Sequence, residues 1–125
     1  GGMVSYYIPN RFTEGYGLNG AALRQIAAEG CGLLVTVDCG ISSADVVAQM
    51  DGAMDIIITD HHLPGAVLPP AYAVINPHRA DCPYPFKELA GSMPTISILS
   101  RSERSPISCR SSERIASSFR RGSCA

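Results

Sequence analysis

LLVTVDCGIS (Leu33–Ser42) and DIIITDHH (Asp55–His62) are the two segments that decide the fold. Each opens with a short, uninterrupted apolar run, which is typical of a β-strand covered on both faces. The residues between the two runs predict a helix that Ser42 or Ser43 caps and that Asp51-Gly52 ends. Two strands joined by a helix of about ten residues form a right-handed βαβ unit, which indicates a parallel sheet.

Further elements flank this unit on both sides. Met3–Ile8 is rich in β-branched and aromatic residues and predicts a strand. Asn19 predicts the cap of a helix that runs to about Glu29, and Gly30 is suited to end it in a left-handed conformation. Ala71–Ile75 predicts a last strand. The expected fold class is α/β, with a partial doubly wound parallel sheet of βαβαβ order that is similar to a Rossmann fold.

The charge of the chain is divided unevenly along its length. The 125 residues carry a net charge of −1. Residues 1–91 contain nine acidic and four basic residues, a net charge of −5, whereas residues 92–125 contain six Arg and two Glu, a net charge of +4. We therefore expect one domain over residues 1–91 and a Ser/Arg-rich tail over residues 92–125 that is disordered or non-native.

The tail has three interpretations. It is a disordered arm that binds nucleic acid through its charge, a linker to a further segment, or an out-of-frame translation of the gene. We favour the out-of-frame interpretation, because the composition changes abruptly after Gly91 and Lys and Asp vanish together. An intact reading frame in another phase after Gly91 would confirm it, and the absence of one would contradict it.

The average composition excludes several classes of protein. The near-balance of charge is unlike that of a strongly basic nucleic-acid binder or an acidic disordered chain. No apolar run approaches the ~18 residues that cross a bilayer, and no signal-peptide pattern opens the chain. We therefore expect a cytoplasmic protein with no membrane partner.

Polar residues gather where the predicted strands end. The LLVTV strand leads into Asp38, and the DIIIT strand leads into Asp60, His61 and His62. Because ligands of open parallel sheets bind beyond the carboxyl ends of the strands, Asp38 and His61 project into one crevice if these strands are neighbours. A carboxylate and an imidazole suit Mn²⁺, Mg²⁺ or Zn²⁺. The alternatives are that Asp38 only caps the next helix and that the histidines are solvated.

The five cysteines do not form a recognisable framework. Their number is odd, and they contain neither a C-x-x-C pair nor a Cys/His zinc spacing. Cys39, next to Asp38, has a possible reactive or ligating role. We favour a free, small, buried thiol at this position.

Four segments together resemble the DHH phosphoesterase family. They are YYIPNRFTEGYGLN (6–19), VTVDCGIS (35–42), IITDHH (57–62) and INPHRADCPYPFKELAG (75–91). The triplet Asp60-His61-His62 is the one that gives the family its name. The first and last segments are similar to the RecJ-type single-stranded-DNA exonucleases within that family. The resemblance covers about Val4 to Gly91.

This resemblance implies an activity and a set of site residues. Members of the DHH phosphoesterase family hydrolyse phosphodiester bonds with two divalent metals, usually Mn²⁺ or Mg²⁺. Those of the RecJ type degrade single-stranded DNA from the 5′ end in recombination and repair. Asp38 matches a metal-bridging Asp and His61 a metal-ligand His. Asp60 and His62 match residues that orient ligands or contact substrate. Arg11 and Glu14 match a substrate-binding motif that lines the site. Within that motif, Arg11 is assigned to contact phosphate.

The chain departs from the family pattern at both ends. The family's Asp-x-Asp cluster, which supplies further metal ligands, has no counterpart before the first strand, and nothing after Gly91 matches. We therefore expect a fragment that is incomplete for activity. One alternative is a DHH phosphoesterase for short oligonucleotides, cyclic dinucleotides or pyrophosphate, against which PYPFKELAG argues. The other is a non-catalytic metal- or nucleic-acid-binding remnant, whose binding would require the tail.

Overall fold

The computed structural model describes residues 3–93, apart from the side chain of Arg11. Three helices and three strands form within this range. They are α1 (Arg11–Glu14), α2 (Gly20–Ala28), β1 (Leu33–Val37), α3 (Ala44–Ala48), β2 (Asp55–Thr59) and β3 (Ala73–Ile75). The predicted tail over residues 92–125 lies almost wholly outside the described residues, so its nature stays a prediction.

The strands form one parallel sheet in the order β1-β2-β3. Leu33 of β1 pairs with Asp55 of β2, and Thr59 of β2 pairs with Ile75 of β3. This arrangement confirms the α/β class and the βαβ unit of β1, α3 and β2. The connection from β2 to β3 differs from the predicted pattern, because it is a loop without a helix.

The core lies between β2 and the two longer helices. Leu23 of α2 and Val47 of α3 are buried against Ile56 and Ile58 of β2, together with Met50. Since alternate residues of a strand point to the same face, both helices cover the same side of the sheet. β2 is the central strand, and Ile56 to Thr59 are all buried, as predicted.

The β1 strand differs from the expectation that it is covered on both faces. Only Thr36 of its five residues is buried, and Val37 is 48% exposed. The reason is its position, since within the described residues β1 has a neighbouring strand on one side only.

Local sequence explains how the helices begin and end. The side chain of Asn19 accepts hydrogen bonds from the backbone N–H groups of Ala21 and Ala22, at 2.8 and 3.2 Å, and so caps α2 as predicted. Gly30 follows the helix with a φ of 86°, in the left-handed region. Ser43 is the N-cap of α3, but its side chain makes no capping hydrogen bond, and α3 ends at Ala48, before the predicted stop.

The prediction of a strand over Met3–Ile8 is wrong. These residues form neither helix nor strand, and Val4, Tyr6 and Ile8 are 93%, 90% and 79% exposed. A strand needs a partner for its backbone hydrogen bonds, and in the described part of the chain none lies beside this segment. The loop that follows contains the short helix α1, which the sequence did not predict and which Asn10 caps.

Candidate metal centre

The register of the sheet brings the predicted polar residues to one edge. Val37 pairs with Thr59, so Asp38 and Asp60 both follow at the carboxyl ends of neighbouring strands. The Asp38 N–H donates to the Thr59 carbonyl at 2.9 Å, and the Asp60 N–H donates to the Ile75 carbonyl at 3.0 Å. These bonds extend the parallel hydrogen bonding by one residue beyond each strand, and they fix the backbone positions of Asp38 and Asp60.

Asp38 and His61 meet at this edge, as predicted. His61 Nε2 lies 3.0 Å from Asp38 Oδ1. The side chain of His61 is 36% exposed and that of Asp38 is 52% exposed. An oxygen and a nitrogen donor therefore stand side by side and open to solvent. This is the carboxylate–imidazole set that a divalent transition metal accepts.

The backbone of Asp38 is strained. Its φ is 63°, the one positive value among the described residues other than glycine. An L-residue in this region costs about 1–2 kcal/mol, although Asp tolerates it better than most. The Thr36 hydroxyl donates to the carbonyl of Cys39 at 2.8 Å, so the turn that contains Asp38 is held from both sides. Strain of this kind is concentrated at functional sites.

Asp60 is buried and fully engaged in hydrogen bonds. Its Oδ1 accepts from the backbone N–H of His61 at 2.8 Å and of His62 at 3.2 Å, and lies 2.6 Å from His62 Nδ1. Its Oδ2 accepts from the Ile41 N–H at 3.0 Å. Burial would raise the pKa of this carboxyl, but the bonds from Ile41, His62 and His61 outweigh burial and lower it. Asp60 therefore organises the triplet as an anion.

The contact of Asp60 corrects one part of the sequence interpretation. If Asp60 orients a metal ligand, which is one of the roles that the resemblance implies for it, its carboxylate should contact the ring of His61. Asp60 instead contacts the ring of His62. The ionised Asp60 accepts a hydrogen bond from the Nδ1–H group of His62. When the ring is neutral, its Nε2 therefore carries no proton and lies 3.1 Å from the hydroxyl of Tyr16.

Tyr16 and His62 line a small cavity next to the acidic edge. Their rings stand at 82° with centroids 5.9 Å apart, and the cavity of about 110 Å³ is completed by Gly17, Gly40, Ile41, Ser42, Ser43 and Asp60. A larger hollow of about 430 Å³ lies at the other end of the strands, next to Gly32 and Asp55, and contains no histidine. The smaller cavity is therefore the one that two predicted site residues, Asp60 and His62, line, whereas Asp38 and His61 are not among its lining residues.

Arg11 and Glu14 do not join this cluster in any contact that the structure describes. The carboxylate of Glu14 accepts from the Tyr7 hydroxyl and from the Asn10 N–H, the latter at 3.0 Å. These bonds, led by that from Tyr7, lower the pKa of Glu14. The side chain of Arg11 lies outside the described part of the chain. The substrate-binding roles of both residues stay predictions.

Asn76 is a functional candidate that the sequence interpretation missed. It is 2% exposed, its Nδ2 donates to the carbonyl of His62 at 2.8 Å, and its Oδ1 accepts from the N–H of His78 at 2.8 Å. Asn76 follows β3, so it lies at the same carboxyl edge as Asp38 and Asp60. The rule that found those residues would also have found Asn76.

The surroundings of Cys39 disfavour the thiolate form. Burial raises the pKa of its thiol, and the charges of Asp60 and Asp38 raise it further. Among the described residues, Cys31, Cys39 and Cys82 form no disulfide, and Cys39, which was predicted to be a buried thiol, is half-buried.

The residues present fit a divalent metal only in part. Asp38 and His61 supply one oxygen and one nitrogen at the open edge. Asp60 is turned inward, and residues 3–93 contain no group of three or more His, Cys, Asp or Glu side chains that could enclose an ion. Completion of a metal site therefore requires ligands beyond the described residues.

The described helices include none that is long and apolar enough to span a membrane.

Comparison with known proteins identifies the family. The sequence profile described as the DHH family, N-terminal domain, matches residues 1–116. The chain belongs to the DHH family. The profile extends past Gly91, whereas the curated relatives below align over about ninety residues.

Those relatives are bacterial proteins named single-stranded-DNA-specific exonuclease RecJ. The chain is 51% identical to the protein of Escherichia coli over 89 residues, which cover 70% of this chain and 15% of that protein. It is 48% identical to the protein of Bacillus subtilis over 90 residues, 71% of this chain and 12% of that protein. The chain thus spans about one seventh of the length of these relatives.

A solved structure shares the fold. It is described as the crystal structure of exonuclease RecJ bound to manganese, with a TM-score of 0.52 and 33% sequence identity. The match covers 69% of this chain and 22% of that one. The similarity supports the α/β sheet and places this DHH chain beside a manganese-binding protein.

Proposed function

We propose that this chain forms part of a metal-dependent nuclease that hydrolyses the phosphodiester bonds of single-stranded DNA from the 5′ end. The observation that carries the proposal is the Asp38–His61 pair, 3.0 Å apart at the carboxyl edge of a parallel sheet. The names of the relatives supply the substrate class, and the family resemblance supplies a role in recombination and repair.

Asp38 and His61 are the proposed metal ligands in this segment. Asp38 contributes negative charge through a carboxylate with two oxygens, and His61 contributes a neutral ring nitrogen. The mixed oxygen and nitrogen set favours Mn²⁺ over Mg²⁺, which prefers oxygen alone. When bound, a pair of divalent ions would activate water and neutralise charge on the attacking and leaving oxygens.

The other residues prepare the site. Asp60 holds the backbone of His61 and His62 by accepting both N–H groups, which fixes where the His61 ring leaves the chain. Asn76 holds the same loop through the His62 carbonyl. His62 presents Nε2 towards Tyr16 and the small cavity, where it is placed to contact substrate. Arg11 is proposed to contact phosphate, and Glu14 to line the same region.

A chimaera tests the proposed function. Residues 4–91 of this chain replace the matching segment of the Escherichia coli relative, which supplies the rest of the protein. We expect the chimaera to degrade 5′-labelled single-stranded DNA with Mn²⁺ and to release the label from the 5′ end. His61→Ala or Asp38→Asn in the chimaera is expected to reduce the rate by at least about 100-fold, since each removes a metal ligand.

The matched control is Asp45→Asn, which removes an acidic side chain in the first turn of α3. It should leave the rate unchanged. A folded chimaera without exonuclease activity would contradict the proposal, as would full activity of the His61→Ala and Asp38→Asn forms. Cleavage restricted to short oligonucleotides, cyclic dinucleotides or pyrophosphate would assign the alternative small-substrate activity instead.

A further inference from the structure

Gly91 lies against the two acidic residues of the candidate metal centre. It is buried, although it is more than fifty residues from Asp38 in sequence. A Cβ atom placed on Gly91 would stand 2.8 Å from Asp38 Oδ1, 3.1 Å from Asp38 Cα and 3.2 Å from Asp60 Cα. Real Cβ atoms essentially never approach another atom within 3.0 Å. No other glycine of the described chain has a contact below this limit.

The requirement for glycine here is one of space. Gly91 is not among the residues with positive φ, so an L-residue could adopt its backbone conformation. Gly30 and Gly52 show the opposite case, with positive φ and open space around them. Close approach of two backbones is the second physical reason for a glycine. At Gly91 that approach is to the ends of β1 and β2.

The atom that a Cβ on Gly91 would meet first is the one that the metal proposal uses. Asp38 Oδ1 is also the oxygen that lies 3.0 Å from His61 Nε2. The Asp38 side chain is 52% exposed, so one of its sides is open to solvent. On the side that faces Gly91, an added Cβ would collide with the carboxylate and crowd the Cα of the strained Asp38. The Gly91 backbone therefore lies close to both ends of this side chain.

We propose that Gly91 is a positioning residue for the Asp38 carboxylate. Its lack of a side chain lets the segment after β3 lie on the carboxyl edge and hold Oδ1 in line with His61. This inference rests on the proposed function, since it assigns Gly91 a role in metal binding. It does not make Gly91 a ligand.

Gly91→Ala in the chimaera tests the inference, with Gly32→Ala as the matched control, because the relative supplies the metal ligands that the described residues lack. Gly32 has an ordinary φ and nothing within 4 Å of the point where the added methyl group would lie, so its change adds the same atom without a collision. The measurement is the dissociation constant for Mn²⁺, followed by electron paramagnetic resonance of the free ion. We expect Gly91→Ala to weaken binding by about tenfold or more, as displaced supporting residues do at metal sites, and Gly32→Ala by less than about twofold.

Asp38→Asn, measured in the same series, separates two failures. If Asp38→Asn weakens Mn²⁺ binding and Gly91→Ala does not, the role of Gly91 is overturned and the metal site stands. If neither weakens binding, the metal site itself is overturned. Thermal unfolding of each variant is also measured without metal. A positioning role predicts that Gly91→Ala loses affinity for Mn²⁺ but still unfolds cooperatively.

A measurement on the unsubstituted chimaera covers the case in which Gly91→Ala does not fold. Titration with Mg²⁺, which is diamagnetic, is followed by the amide chemical shifts of labelled protein. We expect the Gly91 amide to shift together with those of Asp38 and His61, and all three shifts to be lost in Asp38→Asn. A Gly91 amide that stays fixed while His61 shifts would overturn the inference.

Discussion

Replacement of Asp60 by Asn is expected to lower the free energy of unfolding by about 3–5 kcal/mol. The carboxylate is 1% exposed and accepts from the backbone of Ile41, His61 and His62. An amide of the same shape has one acceptor oxygen, so its NH₂ group would face at least one N–H donor. Since a whole domain is stabilised by about 5–15 kcal/mol, the loss would consume a large share of the total.

Urea unfolding followed by circular dichroism measures this effect. Asp51→Asn is the matched control, because Asp51 is exposed at the end of the α3 region and its change should cost less than about 0.5 kcal/mol. Equal midpoints for the Asp60→Asn and Asp51→Asn chains would show that the buried network contributes nothing.

The pH dependence of stability provides a second view of Asp60. Its pKa in the folded chain lies below the ordinary value of 3.8, because the hydrogen bonds outweigh burial. The folded carboxyl thus stays ionised where the unfolded one takes up a proton. Its contribution is present above the unfolded pKa and is lost as the pH falls through the folded pKa, so stability declines from about pH 5 downward. In Asp60→Asn this decline should be shallower, and an unchanged slope would contradict the assignment.

Replacement of Asp38 by Asn is expected to weaken Mn²⁺ binding by at least about 100-fold, or about 2.8 kcal/mol, with little change in stability. The amide removes the negative charge and one ligand oxygen. The fold should survive because the side chain is half exposed and because Asn tolerates the left-handed backbone, φ 63°, as well as Asp does. Loss of affinity and retention of stability together distinguish a ligand from a structural carboxylate.

Isothermal calorimetry of the chimaera with Mn²⁺, together with urea unfolding of the 125-residue chain, measures both quantities. Asp45→Asn again serves as the control for the loss of one negative charge. Affinity of Asp38→Asn equal to that of the control would remove Asp38 from the site. A drop in stability as large as that of Asp60→Asn would give it a structural role instead.

The central part of the fold could be predicted from local sequence. The apolar runs of β1 and β2 and the helix signals between them specify a βαβ unit, because strand burial and helix capping depend on neighbouring residues. The position of the site follows from the same unit, since the carboxyl ends of adjacent parallel strands must coincide. This is why Asp38 and His61 could be paired before any coordinates were known.

The features that were missed depend on three-dimensional structure that the residue types alone do not specify. Met3–Ile8 has the composition of a strand, but composition does not provide a neighbouring strand. The partner of the Asp60 carboxylate is the ring of His62 rather than that of His61, and only the local turn geometry decides between two adjacent rings. Gly91 carries no signal in its own neighbourhood, because its need for space comes from β1 and β2.

The most direct test of the Asp38–His61 metal site is electron spin echo modulation of Mn²⁺ bound to the chimaera, in which the relative supplies the remaining ligands. The method detects a nitrogen coordinated to the ion. We predict an imidazole signal that is unchanged in His62→Ala, whose ring is held by Asp60, and that is reduced in His61→Ala. An unchanged signal in His61→Ala, or none in the unsubstituted chimaera with Mn²⁺ bound, would contradict the account.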